Sequence, residues 1–75
     1  MISQMTFAER SYLFAQLANI AYQPEEQARA AALELGFTET EFYDKKGAQS
    51  YRFMNQNDIV IACRGTEPTQ LNDIS

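Results

Sequence analysis

The sequence predicts an α+β fold in one small domain over residues 1–75: two N-terminal helices followed by a small antiparallel sheet of about three strands. Three observations predict it. An amphipathic segment follows Thr6 behind a helix-capping pattern, an alanine-rich segment lies between Pro24 and Gly36, and three short runs of strand formers separated by turn residues occupy the rest of the chain to Arg64.

The first helix begins at Thr6. Thr6-Phe7-Ala8-Glu9 is a capping box in which the Glu9 N–H donates to the Thr6 hydroxyl and the Glu9 carboxylate accepts from the Thr6 N–H. The helix is expected to run to about Tyr22. Phe7, Leu13, Phe14, Leu17, Ala18, Ile20 and Ala21 form a wide apolar arc, and Glu9, Arg10, Gln16 and Asn19 hold the remainder. Tyr12 and Tyr22 read as residues at the margin of the core with hydroxyls in water. Pro24 suits the first turn of the second helix, where Glu25 and Glu26 favour the positive end of the helix dipole. Ala28, Ala31, Ala32 and Leu35 recur at helical spacing, and Gly36 is the expected stop. Small side chains on this face let the helix lie close to a neighbour; plain helix propensity explains them equally well.

Phe37 to Asp44 and Tyr51 to Asn55 are strand-forming runs, and Lys45-Lys46-Gly47 between them signals a turn. Asn55-Gln56-Asn57-Asp58 supplies the next turn. Glu39, Glu41 and Asp44 read as a solvated face; with no further ligand nearby, no metal site is assigned to them. The last run, Ile59-Val60-Ile61-Ala62-Cys63, organises the chain. Its side chains are apolar on both faces until Arg64, the pattern of a strand covered on both sides. The polar, turn-rich segment from Gly65 to Asp73 follows, and a loop at the end of a rigid strand is where functional backbone is presented.

Composition narrows the function classes. A chain of 75 residues hides only about 60% of the surface that its unfolded form exposes, so small domains lean on disulfides, metals or self-association. One cysteine excludes an internal disulfide, and the lack of histidine argues against a zinc site. Self-association remains, with a homo-oligomer expected and a two-fold dimer its simplest form. Two helices cover only one face of so small a sheet, so Ile59, Val60 and Ile61 are the candidate interface residues. Six basic against ten acidic residues give a net charge of -4, which disfavours nucleic acid and anionic membranes as partners. The N-terminus lacks the pattern of a signal peptide and no stretch has membrane-spanning length, so a cytoplasmic protein is expected.

Ile59-Val60-Ile61-Ala62-Cys63-Arg64-Gly65-Thr66 and the following Asn72-Asp73-Ile74 resemble the N-terminal part of class 3 lipase-like α/β-hydrolases. In that family a buried strand ends in Arg-Gly-Thr or Arg-Gly-Ser, and Asn or Trp followed by Asp comes soon after. The order of helix, helix and short strands, with Ala-Asn-Ile-Ala-Tyr ending the first helix, is also similar. The resemblance covers nearly all of this chain but only the opening quarter or third of a family member. It implies that Thr66 lines an oxyanion hole through its backbone N–H, beside Gly65, which lets donors approach a substrate carbonyl closely. It also implies that Arg64 anchors the loop, with Asp73 or Glu67 as its partner. The alternative for Arg64 is a strand-end arginine that only solvates the sheet margin.

The family's catalytic set is incomplete here. A hydrolase of this type needs a Gly-x-Ser-x-Gly elbow and a histidine base, and the chain has neither. Ser3, Ser11, Ser50 and Ser75 stand in unrelated places, and oxyanion donors without a nucleophile do not hydrolyse esters. No cofactor is implied. The leading expectation is therefore a non-catalytic, truncated lipase-like segment that self-associates. The alternatives are one part of a split lipase or esterase completed by a complementary hydrolase chain, and a small module binding a peptide or a lipid-like ligand on an exposed apolar sheet face.

Overall fold

The computed structural model describes residues 1–64, with helices α1 (Phe7–Ile20) and α2 (Glu25–Glu34) followed by strands β1 (Glu39–Lys45), β2 (Ala48–Met54) and β3 (Ile59–Cys63). The fold is α+β, as the sequence predicts. The strands form an antiparallel meander in the order β1-β2-β3, with Glu41 opposite Arg52 and Arg52 opposite Ile61.

Thr6 caps α1 as expected: the Glu9 N–H donates to its hydroxyl at 3.1 Å, and the Thr6 N–H donates to the Glu9 carboxylate at 2.8 Å. Thr6→Ala is expected to lower stability by about 1 kcal/mol in urea unfolding, because it leaves a helix-start N–H without its side-chain acceptor. An unchanged midpoint would mean that the first turn contributes nothing to the folded state. A short 3-10 turn, Ile2–Gln4, precedes the cap, and the Ile2 N–H donates to the Asp58 carboxylate at 3.0 Å. The chain start is thus tied to the turn that enters β3.

The wide apolar arc of α1 is buried only in part. Leu13, Leu17 and Ala21 are buried, whereas Phe7 is 79% exposed and Phe14 42%. Tyr12 and Tyr22 lie well out on the surface rather than at the core margin. Helix α2 contributes Ala28 and Ala32, both fully buried, to the core. Gly36 takes a φ of 94°, a conformation that favours glycine, and ends the helix. Phe37, Tyr51 and Phe53 complete the core, with the Tyr51 and Phe53 rings stacked at 5.6 Å and Phe42 packed 5.0 Å from Tyr51.

The hairpin turn is tighter than expected. Lys46 and Gly47 both have positive φ, 53° and 84°, which is the geometry of a two-residue type I′ turn. That turn starts β2 at Ala48, three residues earlier than the strand-forming run at Tyr51 suggests. Pairing with β1 overrides the weak strand preference of Ala48, Gln49 and Ser50. The next turn is held by the Asn55 side-chain oxygen, which accepts from the Asn57 and Asp58 N–H groups at 2.9 and 2.7 Å. Among the described residues no helix is long and apolar enough to cross a membrane.

Candidate functional site

The organising strand β3 is a sheet edge among the described residues, with β2 on one side and no strand on the other. The strand register sorts its side chains. Val60 and Ala62 share the helix-facing side with Phe53 and Tyr51, and both are half-buried. Ile59, Ile61 and Cys63 face the other way and are exposed, at 65% for Ile59 and 66% for Ile61. Among the described residues β3 is covered on one face only, not on both as its apolar pattern suggests, and in keeping with two helices that reach one face of so small a sheet. Both helices lie on one face of the sheet, and the described residues place nothing on the other.

The open face has two halves. On β1 and β2 it is mostly polar, Met54 beside Ile59 excepted: Arg52 forms an ion pair with Glu41 at 2.8 Å, the Tyr43 hydroxyl donates to the same carboxylate, and the Arg52 guanidinium lies 5.8 Å from the centre of the Tyr43 ring. The Tyr43 hydroxyl and Arg52 together hold the Glu41 carboxyl below the usual carboxylate range. Glu41 is thus engaged in a local cluster rather than simply solvated. On β3 the same face is formed by Ile59, Ile61 and Cys63 and carries no charge.

At the end of β3, Arg64 reaches back into the fold. Its backbone N–H continues the ladder to the Gln49 carbonyl at 2.8 Å. Its Nε donates to the Ala21 carbonyl at 2.8 Å, Nη2 to the Gln23 carbonyl at 2.9 Å, and Nη1 to the Gln49 side-chain oxygen. Ala21 is the C-terminal cap of α1, so the guanidinium sits where helix carbonyls lack N–H partners and the dipole favours a cation. The Tyr51 hydroxyl donates to the Gln23 carbonyl as well, at 2.8 Å, and burial pushes its pKa up. Arg64 is therefore a structural anchor joining β3, β2 and the end of α1. The expected partners Glu67 and Asp73 lie outside the described residues.

Gly65, Thr66 and Asp73, singled out from the sequence as the oxyanion loop and its support, also lie outside the described residues. Of the candidate interface residues, Ile59 and Ile61 stand together on the open face, and Val60 turns under α1. The partners of Arg64 were not legible in the sequence. Two of them are backbone carbonyls, which any residue supplies, and only Gln49 offers a side chain. Ser3, Ser11 and Ser50 are dispersed over the N-terminal turn, α1 and β2, and the chain has no histidine to activate any of them. Among the described residues no group of three or more His, Cys, Asp and Glu side chains comes together to hold a metal ion.

Beside the free edge of β3 runs an apolar groove of about 360 Å³. Phe14, Leu17 and Ala18 form its helix wall, and Val60 and Ala62 its strand wall. Comparison of the chain with protein-family models, with curated proteins and with solved structures finds no match.

Proposed function

We propose that this is a lipase-like, non-catalytic helix-and-sheet unit of the cytoplasm that acts by self-association, with a two-fold dimer as the simplest assembly. The observation that carries the reading is the uncharged, exposed half of the sheet at β3, where Ile59 and Ile61 are each about two-thirds exposed at an edge that is unpaired among the described residues. A small domain gains from pairing such an edge with another copy. The lipase-like element rests on the run from Ile59 to Thr66 and on the order of helices and strands before it. The non-catalytic element rests on the missing histidine and serine elbow.

One observation favours a second reading, part of a split hydrolase. Arg64 fixes the end of β3 to α1 and β2, which is the support that a following Gly65-Thr66 oxyanion loop would need. In that reading a complementary chain brings the nucleophile and base.

The test of both is a short-chain chromogenic ester with a serine-directed fluorophosphonate probe. The chain by itself is expected to give no turnover above buffer and no labelled serine. Stoichiometric labelling, or turnover that disappears when the labelled serine is changed to Ala, would contradict the non-catalytic reading. Turnover that appears only when a second chain is added would favour the split enzyme.

A further inference from the structure

Resting on the reading that the chain self-associates, the geometry points to one specific interface: β3 pairs antiparallel with β3 of a second copy, with Ile61 on the two-fold axis. Backbone hydrogen bonds select this register. The Arg64 N–H points at β2, where it donates to the Gln49 carbonyl, and by the two-residue period of a strand Ala62 and Val60 also direct their backbone groups to β2. Ile59, Ile61 and Cys63 therefore direct theirs to the free edge. Centring the pair on Ile61 sets Ile61 against the partner's Ile61 and Ile59 against the partner's Cys63. Every outward N–H and C=O of the strand then has a partner. Centring on Val60 or Ala62 leaves an end residue of the strand without one.

Charge selects the same register. β3 has no charged residue between its ends, and its flanks are Asp58 and Arg64. Neither is in an ion pair among the described residues: Asp58 accepts from a backbone N–H, and Arg64 donates to two carbonyls and a side-chain amide. With Ile61 on the axis, Asp58 of each copy stands opposite Arg64 of the other, so unlike charges close both ends of the pair. A parallel pairing would place like beside like. The opposite edge, β1, carries Glu39, Glu41, Asp44 and Lys45, the kind of charge that blunts an exposed strand against pairing.

The groove completes the fit. A strand added to β3 sends its helix-facing residues into the space beside Phe14, Leu17 and Ala18. For a second copy those residues are Val60 and Ala62, which are apolar and small enough to enter without burying a charge. The result is a continuous six-stranded sheet with the helices of both copies on one face.

Ile59→Cys tests the register, because it sets the introduced thiol opposite the native Cys63 of the partner. Facing residues in a hydrogen-bonded antiparallel pair lie about 5.5 Å apart at Cα, within disulfide reach. The same two positions within one chain are four residues apart on a strand, roughly 13 Å, and cannot bridge. Position 59 is exposed, so the fold tolerates the change. Under oxidised glutathione the variant is expected to become a covalent dimer almost completely on a non-reducing gel. The unmodified chain, whose Cys63 lies opposite Ile59 and equally far from the partner's Cys63, is expected to stay uncrosslinked. A non-covalent dimer in sedimentation without cross-linking of Ile59→Cys, or rapid cross-linking of the unmodified chain through Cys63, would overturn the register and leave self-association standing. A monomer in sedimentation would overturn both.

Discussion

Replacing Arg64 with Ala is expected to destabilise the fold by roughly 2 kcal/mol, the scale of losing hydrogen bonds from a charged donor. The guanidinium is the common donor to Ala21, Gln23 and Gln49, which belong to the end of α1, the turn after it and β2. Its removal leaves the terminal carbonyls of α1 without that cation and unties β3 from the helix layer. For a chain of 75 residues, whose total stability by ordinary per-residue values is about 4 to 11 kcal/mol, this is a large fraction. Arg64→Lys keeps the charge but not the planar fork, and is expected to recover less than half of the loss. Urea unfolding at one fixed protein concentration measures both, since association makes apparent stability depend on concentration. A change within about 0.5 kcal/mol for Arg64→Ala is the behaviour of a surface substitution and would return Arg64 to the role of a strand-end arginine that only solvates the sheet margin.

The second large effect is on assembly. Ile61→Glu is expected to shift the dimer toward monomer in the micromolar range, a weakening of association by roughly tenfold, because it removes the Ile61 cross-strand pair and sets two carboxylates opposite each other on the axis. The monomer itself should keep its fold, since Ile61 is 66% exposed and contributes little to the core. Val60→Glu is a different experiment. Val60 is half-buried under α1, so a carboxylate there damages the monomer as well as the interface. Circular dichroism separates the two variants: native structure for Ile61→Glu and a loss of structure for Val60→Glu. A dimer of unchanged affinity in Ile61→Glu would show that Ile61 does not stand on the axis.

The sequence shows local features of this fold clearly and long-range ones poorly. Thr6 and Glu9 mark the start of α1 because a capping box is written in adjacent residues, and Lys46-Gly47 marks the hairpin because so few residues accept positive φ. The run Ile59 to Cys63 is recognisable as a strand by its β-branched content. Its burial is a different matter. Whether a strand apolar on both sides is covered on both depends on how many helices reach it, and here both lie on one face of the sheet. Phe7, Tyr12 and Tyr22 mislead for the same reason: hydropathy shows that a side chain prefers shelter, not that the fold provides any. The role of Arg64 is split between a recognisable residue and unrecognisable acceptors. An arginine after a strand suggests an anchor, but the carbonyls of Ala21 and Gln23 become its partners only once α1 has been laid against β3.

Self-association through β3 is the claim on which the functional account turns, and sedimentation velocity of the unmodified chain at micromolar concentration tests it most directly. A single species of twice the 8.5 kDa chain mass that dissociates on dilution is expected. A compact monomer of 8.5 kDa that persists at the highest concentration reached, and unfolds cooperatively in urea, would contradict it.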